Sequence, residues 1–367
     1  RVEFTHGATM SSSVMINQEG YSHSEELQTW LLDFKTSFSA KDVLECLHQL
    51  SSLRVLVVGE TIVDEYVHCT ALGKTSKDPI LAFLPGHRES QLGGALAVAR
   101  HCVGLGAKTK LLTRVGLDSK GAEIQAQLKS EATLDCVFIE SPTQKTIVKT
   151  RYLDSSSGTK VFETYEMTDE EVPGDESSAF AALLEKEAVD ADVVIVSDFG
   201  HGLIGDEVLE KLASVRGLVA VNTQSNAGNH GVNSISRYKR VDLVALNGSE
   251  VSRELRRRHS SVLSLVPKLA EDSGASTVIV TEGAKGLVMW RDNLVSEAPA
   301  FTQNVVDRVG AGDALFATVS LAIASGAPRM IVGLLGNLAG AAMVSDLGNR
   351  YSVRVTDLAR HAESTLK

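Results

Sequence analysis

The chain has 367 residues, 43% hydrophobic and 22% charged, with a formal net charge of −10 at pH 7. That length and apolar content suffice for a large core, and the acidic balance argues against a general nucleic-acid partner, whose footprint is basic. The apolar runs fall far short of the roughly 20 residues that span a bilayer, so no membrane segment is expected.

In chain order, residues 1–20 carry no basic region followed by an apolar core, so they are not a secretory signal, and the sequence does not begin with Met. Residues 24–50 spell two amphipathic helices with Ser24 and Ser39 as caps, a lead-in to the first buried-strand pattern at 53–60. Strand patterns recur at 192–200, 217–224, 242–248 and 276–283, and helical patterns fill 93–105, 119–131, 176–190, 206–215 and 261–273. Continuous apolar strands separated by helices imply an α/β fold with a parallel sheet covered on both faces. Two stretches break the rhythm. Residues 65–91 and 145–167 alternate polar and apolar around Gly, Ser and Asp turns, as half-exposed antiparallel strands of a small second sheet do. Cys46, Cys69, Cys102 and Cys136 form no CxxC pair, so free thiols in the cytoplasm are expected. The basic run at 253–261 reads as a solvated helix face.

Three stretches invite a phosphate. "ALGKTS" fails as a P-loop, because His68 stands where the first glycine is required. "GLGAKT" lacks a third glycine and precedes a strand, so it is a helix end. The stretch "NVVDRVGAGDALFATVSLAIASGAP" differs: Gly310, Ala311, Gly312 and Asp313 open an apolar helical run. Unobstructed amides and the helix dipole suit a phosphoryl group gaining charge, and a carboxylate there can take a proton from an attacking hydroxyl. An N-cap Asp is the structural alternative.

"GGALAVARHCVGLGAKTKLLTRVG" and "VVDRVGAGDALFA" resemble the two signatures of the PfkB/ribokinase family of carbohydrate kinases, with "LNGSE" and "TEGAKG" between them in the family's order. "VLVVGETIVDEYVHCTALGKTSKDP", "VVIVSDFGHGL" and "VNTQSNAGNHGVNSISRY" look closer still to the kinase half of bifunctional sugar kinase/cytidylyltransferase proteins of the ADP-heptose synthase group. The resemblance implies a ribokinase-like doubly wound, mainly parallel sheet with a small β-sheet lid over residues 51–367. It also implies a dimer through the lid and a fused or partner nucleotidyltransferase, of which residues 1–17 would be a stub. Taken alone, residues 1–17 are a polar, Ser-rich tail.

The resemblance assigns roles. Asp313 would be the general base, with Gly310, Ala311 and Gly312 as anion hole. Asp64, Gly93 and Gly94 would hold a sugar-like acceptor, with Arg151 able to clamp a phosphate or carboxylate. Asn222, Thr281, Gly283, Gly286 and Asn337 would line ATP. Asn247 and Glu250 would organise Mg²⁺ through water, and Asp307 belongs to a monovalent-cation loop, for K⁺. One departure stands out: Ala97 replaces the family's usual Asn, which removes a sugar-hydroxyl contact and leaves the acceptor to Lys149, Arg151, Asp198 or His201. Arg308 replaces a small hydroxyl residue. The rival readings are a kinase of a non-sugar alcohol such as a nucleoside, and a sensor that has lost turnover.

Overall fold

The computed structural model describes residues 24–131, 133–229, 231–301, 305, 307–345 and 348–367; residues 1–17 lie outside them. Among the described residues the main sheet has nine strands: β1 (Arg54–Gly59), β4 (Lys108–Gly116), β5 (Asp135–Ser141), β8 (Val193–Asp198), β9 (Leu218–Thr223), β10 (Leu243–Asn247), β11 (Thr277–Thr281), β12 (Leu287–Arg291) and β13 (Leu294–Ala298). Their spatial order is β13-β12-β11-β10-β9-β8-β1-β4-β5. Neighbours from β11 to β5 are parallel, and β12 and β13 close one edge as an antiparallel hairpin.

Alternation along each strand builds two apolar layers. Val55, Val57, Leu111, Val193 and Ile195 face one cluster, while Leu56, Val58, Leu112, Val194 and Val196 face the other. A two-residue side-chain period with every position apolar is what a sheet buried on both faces demands. The first layer is covered by α1 (Glu25–Ser37), α2 (Ala40–Leu50), α3 (Ala95–Gly104), α4 (Ser119–Ser130), α9 (Ala311–Ala324), α10 (Arg329–Met343) and α11 (Val355–Thr365). The second is covered by α5 (Gly174–Glu187), α6 (Asp206–Ala213), α7 (Gly248–Glu254) and α8 (Val262–Ser273). Ser24 caps α1 by accepting from Leu27 N at 3.2 Å, and Ser39 N donates to Asp42 Oδ2 at 2.7 Å at the start of α2. Phe34, Val43 and Leu47 of this helix pair join the same cluster as α9 and α10. No described helix is long and apolar enough to cross a membrane.

Strands β4, β5, β12 and β13 lie outside the five strand candidates of the sequence. β4 opens with "KTK", and β5 is a half-exposed edge strand, so neither shows a continuous apolar run. The hairpin turn rests on Asp292 and Asn293, with φ of 55° and 59°, the two left-handed positions a type I′ turn needs.

The second sheet comprises β2 (Thr61–Lys74), β3 (Leu81–Gly94), β6 (Ile147–Asp154) and β7 (Lys160–Glu166), ordered β3-β2-β6-β7. The outer pairs are antiparallel, as the alternation suggests, and the central β2–β6 pair is parallel. A parallel pair needs a crossover, which α3, β4, α4 and β5 provide. β2 starts two residues after β1 ends and β3 runs straight into α3. This sheet therefore rises from the carboxyl edge of the main one, where open α/β sheets bind ligands.

Candidate active site

Cross-strand register sets the face that the small sheet turns to the cleft. Asp64, Lys149 and Tyr165 form one row and Tyr66, Arg151 and Glu163 the next, and directly paired residues share a face. Asp64 is 5% exposed and accepts from Arg151 Nη1 at 2.5 Å, while Arg151 Nε lies 3.5 Å from Glu163 and its guanidinium lies over the Tyr66 ring. Arg151 is thus held against Asp64 itself. Gly93 sits close by, and a Cβ there would come within 2.1 Å of Asp64 Oδ2. A side chain at 93 would displace the carboxylate, which explains a glycine at that position. Gly94 caps α3, where Ala97 is 3% exposed.

Lys149 is 4% exposed and stands 4.9 Å from the Tyr165 ring centroid and 5.5 Å from that of Phe199. Burial lowers the pKa of its ammonium, against the opposing pull of Asp64.

The N-cap of α9, Gly310, lies in the left-handed region (φ 85°), and a Cβ there would come within 2.0 Å of Asn349 Oδ1. No side chain caps this helix, so its first amides stay available to a ligand. Gly312 is exposed, with open space where a Cβ would project. Asp313, half-buried at the third helical position, has its carboxyl pushed up to about 7 by burial and by Asp64, with Lys149 pulling the other way. Asp64, Lys149 and Asp313 therefore share one electrostatic environment although they come from three distant segments.

Of the remaining predicted residues, Asn222, Asn247 and Thr281 stand at strand ends. Asn247 caps α7, its Oδ1 accepting from Ser249 N and Glu250 N at 3.0 and 2.9 Å. Glu250 is buried and accepts from Ser225 N at 3.0 Å and Asn247 N at 2.8 Å. Asn222 donates to Ala245 O at 2.7 Å. Thr281 ends β11 and leads through Gly283 into a short 3₁₀ turn before Gly286. Asn337 is buried in α10 and donates to Ala298 O and Pro299 O at 2.9 and 3.1 Å, which ties it to the end of β13. Asp307 is bound by Lys160 of β7, Nζ to Oδ1 2.6 Å.

Other polar groups cluster at the ends of β1, β4 and β8. Glu60 accepts from Phe199 N and His201 N, each at 3.0 Å. Asp198 accepts from Tyr238 Oη at 2.7 Å, and burial and Glu60 push its carboxyl up to about 7. Arg114 Nη1 and His201 Nε2 are buried without a hydrogen-bond partner among the described residues. Glu60 escapes sequence reading because it closes an ordinary strand pattern, and Arg114 because β4 shows no such pattern. A cleft of about 780 Å³ at the amino ends of β1, β4 and β5 lies on the opposite edge, and its Arg54 and Lys110 are paired with Asp192 and Glu187 at 2.9 and 2.5 Å.

The chain thus combines a doubly wound sheet, a small second sheet at its carboxyl edge and an uncapped helix entrance whose Asp313 is coupled to a buried acid and a buried lysine, the kind of polar cluster at strand ends where open α/β sheets hold ligands. Residues 52–355 match the pfkB family of carbohydrate kinases, and the chain belongs to that family. The bifunctional protein HldE of Caulobacter vibrioides is 29% identical over 326 residues, covering 85% of this chain and 62% of that protein. HldE of Azotobacter vinelandii is 27% identical over 310 residues, covering 83% and 63%. The chain thus spans under two thirds of the length of these relatives. Phosphofructokinase-2 of Escherichia coli, solved in complex with potassium, superposes with a TM-score of 0.71 at 15% identity, covering 86% of this chain and 99% of that one. Ribokinase of Thermotoga maritima gives 0.64 at 18% identity, covering 84% and 99%. These neighbours share the ribokinase-like fold that the sequence implies.

Proposed function

We propose that this carbohydrate kinase moves the γ-phosphoryl group of ATP to a hydroxyl of a sugar phosphate. The carrying observation is the raised carboxyl of Asp313 at an uncapped helix entrance, facing Asp64 and Lys149 of the small sheet. Asp313 takes the hydroxyl proton as the acceptor oxygen bonds to the γ-phosphorus, the bond to the β-phosphate oxygen breaks, and ADP leaves. The amides of Gly310, Ala311 and Gly312 hold the transferred group, and Asp64 accepts hydrogen bonds from acceptor hydroxyls. Closing of the small sheet as a lid excludes water, which would otherwise compete for the phosphoryl group.

An anionic acceptor is favoured over a plain sugar by the buried Lys149 and by the unpartnered guanidinium nitrogen of Arg114, since buried cations want counter-charge; burial lowers the pKa of His201, so its unpartnered Nε2 adds hydrogen-bonding capacity and no charge. Arg151, engaged by Asp64, is left to orient that carboxylate. The test is ATP consumption with matched pairs of free and phosphorylated sugars. Turnover confined to the phosphorylated members supports the reading, and turnover with nucleosides alone overturns it. Exposed Leu72, Leu81 and Leu84 at the far end of the β2–β3 ribbon support pairing of two copies through the lid. The reading extends to a fused or partner nucleotidyltransferase because the HldE relatives are bifunctional and longer.

Mg²⁺ bound with the nucleotide supplies charge neutralisation at the phosphates. Mg²⁺ dehydrates reluctantly and is held largely by phosphate oxygens and water. Glu250 fits an indirect part, since each of its oxygens accepts one amide and has a further lone pair for water. Glu250→Gln is expected to raise the Mg²⁺ concentration for half activity by roughly 10- to 100-fold, as loss of an outer-sphere partner does. A magnesium titration at saturating acceptor measures this, and a change confined to acceptor KM would remove Glu250 from the metal's surroundings.

A further inference from the structure

The resemblance to carbohydrate kinases leads one to expect a monovalent cation at Asp307, and one structural neighbour was solved with potassium. Asp307 here does not fit that expectation. Its carboxylate is 7% exposed. Oδ1 accepts from Lys160 Nζ at 2.6 Å, Arg308 N at 2.7 Å and Val309 N at 3.3 Å, and Oδ2 accepts from Gly348 N at 3.2 Å. Oδ1 is crowded by three donors, the Lys160 ammonium among them, and Oδ2 by one, so the oxygen closest to a bound cation's place is already taken by a positive charge.

Lys160 reaches Asp307 because of a local irregularity. Tyr152 pairs with Phe162, but the next pair is Leu153 with Lys160, so Val161 is passed over. Such a bulge re-aims the side chains beyond it. It turns Lys160 to the face of Leu153 and Arg151, where Nζ lies 6.0 Å from the Tyr66 ring centroid. The ammonium thus joins the lid strand β7 to the turn that enters the anion hole, three residues before Gly310.

We infer that Lys160 is a built-in monovalent cation: its ammonium occupies the cation position at Asp307, orders the turn leading to Gly310–Gly312, and makes the kinase independent of added K⁺. An ammonium is a compact point charge with three donors, able to neutralise Asp307 as a bound ion would. Lys160 is a positioning residue, since it acts on the phosphoryl cradle through Asp307. The inference rests on the kinase reading for its rate measurement only.

The test compares the parent with Lys160→Met in K⁺, NH₄⁺ or tetramethylammonium chloride at constant ionic strength, by turnover and by thermal unfolding without substrates. The parent is expected to show equal turnover and equal midpoints in all three salts. Lys160→Met should lose about 10-fold or more in turnover, as displaced catalytic groups do, and regain part of it, together with a higher midpoint, in K⁺ or NH₄⁺ but not in tetramethylammonium. A saturable rise of the parent's rate or midpoint with K⁺ overturns the inference, as does a Lys160→Met protein that matches the parent in every salt. If Lys160→Met does not fold, the parent's salt titration decides alone. If no acceptor is ever phosphorylated, the kinase reading fails while the unfolding measurement still judges Lys160.

Discussion

Asp313→Asn is expected to lower turnover by about 10² to 10⁴, the range a general base supplies, with ATP affinity nearly unchanged. The amide keeps the size of the side chain and leaves the Gly310–Gly312 amides in place, so nucleotide binding and proton removal separate. The pH dependence provides a second reading. With the carboxyl pushed up to about 7 by burial and Asp64, against Lys149, the base form grows as pH rises, so kcat/KM of the parent should climb through about pH 7 and then level. Stability runs the other way. The folded protein holds this proton up to about 7 whereas the unfolded chain releases it near the ordinary 3.8, so this group's contribution to stability falls as pH rises from about 4 to 7. Asp313→Asn should remove that part of the slope in denaturant titrations across this window. Turnover within a factor of about two of the parent would take the base role away from Asp313.

Substitution of Asp64 is expected to have the next largest effect, and it divides into two. Asp64→Ala leaves the largely buried Arg151 with Glu163 at 3.5 Å as its one remaining carboxylate among the described residues, and breaking a buried pair costs about 3 to 5 kcal/mol. The urea midpoint should fall accordingly. Asp64→Asn preserves shape and much of the packing, so it isolates binding: loss of a hydrogen bond to an acceptor hydroxyl costs about 1 to 3 kcal/mol, read by calorimetry as weaker binding of every acceptor with the ATP analogue bound equally well. The double variant Asp64→Asn, Arg151→Met completes a cycle, and the coupling energy reports the pair itself. If Asp64→Asn binds all acceptors as the parent does, Asp64 serves only to hold Arg151, and the sugar side of the reading gives way to the nucleoside or sensor alternative.

Much of the fold is legible from local pattern. The strands at 54–59, 193–198, 218–223, 243–247 and 277–281 carry continuous β-branched runs, and the helices between them carry their own periodicity, because burial on both faces of a sheet leaves no polar position to confuse the reading. The caps at Ser24 and Ser39 are legible for the same local reason. The "GAGD" entrance to α9 is visible because glycine at 310 answers a backbone requirement that the sequence expresses directly.

Pairings between distant segments are not written in any local pattern. That β2 meets β6 in parallel, that Arg151 turns to Asp64, and that Lys160 crosses to Asp307, 147 residues away, follow from the register of a sheet assembled around a crossover and from one bulge at Val161. Glu60 reads as a strand end, and Asn337 as an adenine neighbour, until their partners stand beside them. Composition, periodicity and caps are properties of short windows, so the sequence determined the central strands, most of the helices, their layering and the glycine-rich helix entrance. Charge pairing and pKa depend on distances of a few ångströms between residues far apart in the chain, so only the tertiary structure decided that Arg151 answers Asp64, that Asp313 feels Asp64 and Lys149, and that Lys160 reaches the turn ahead of Gly310.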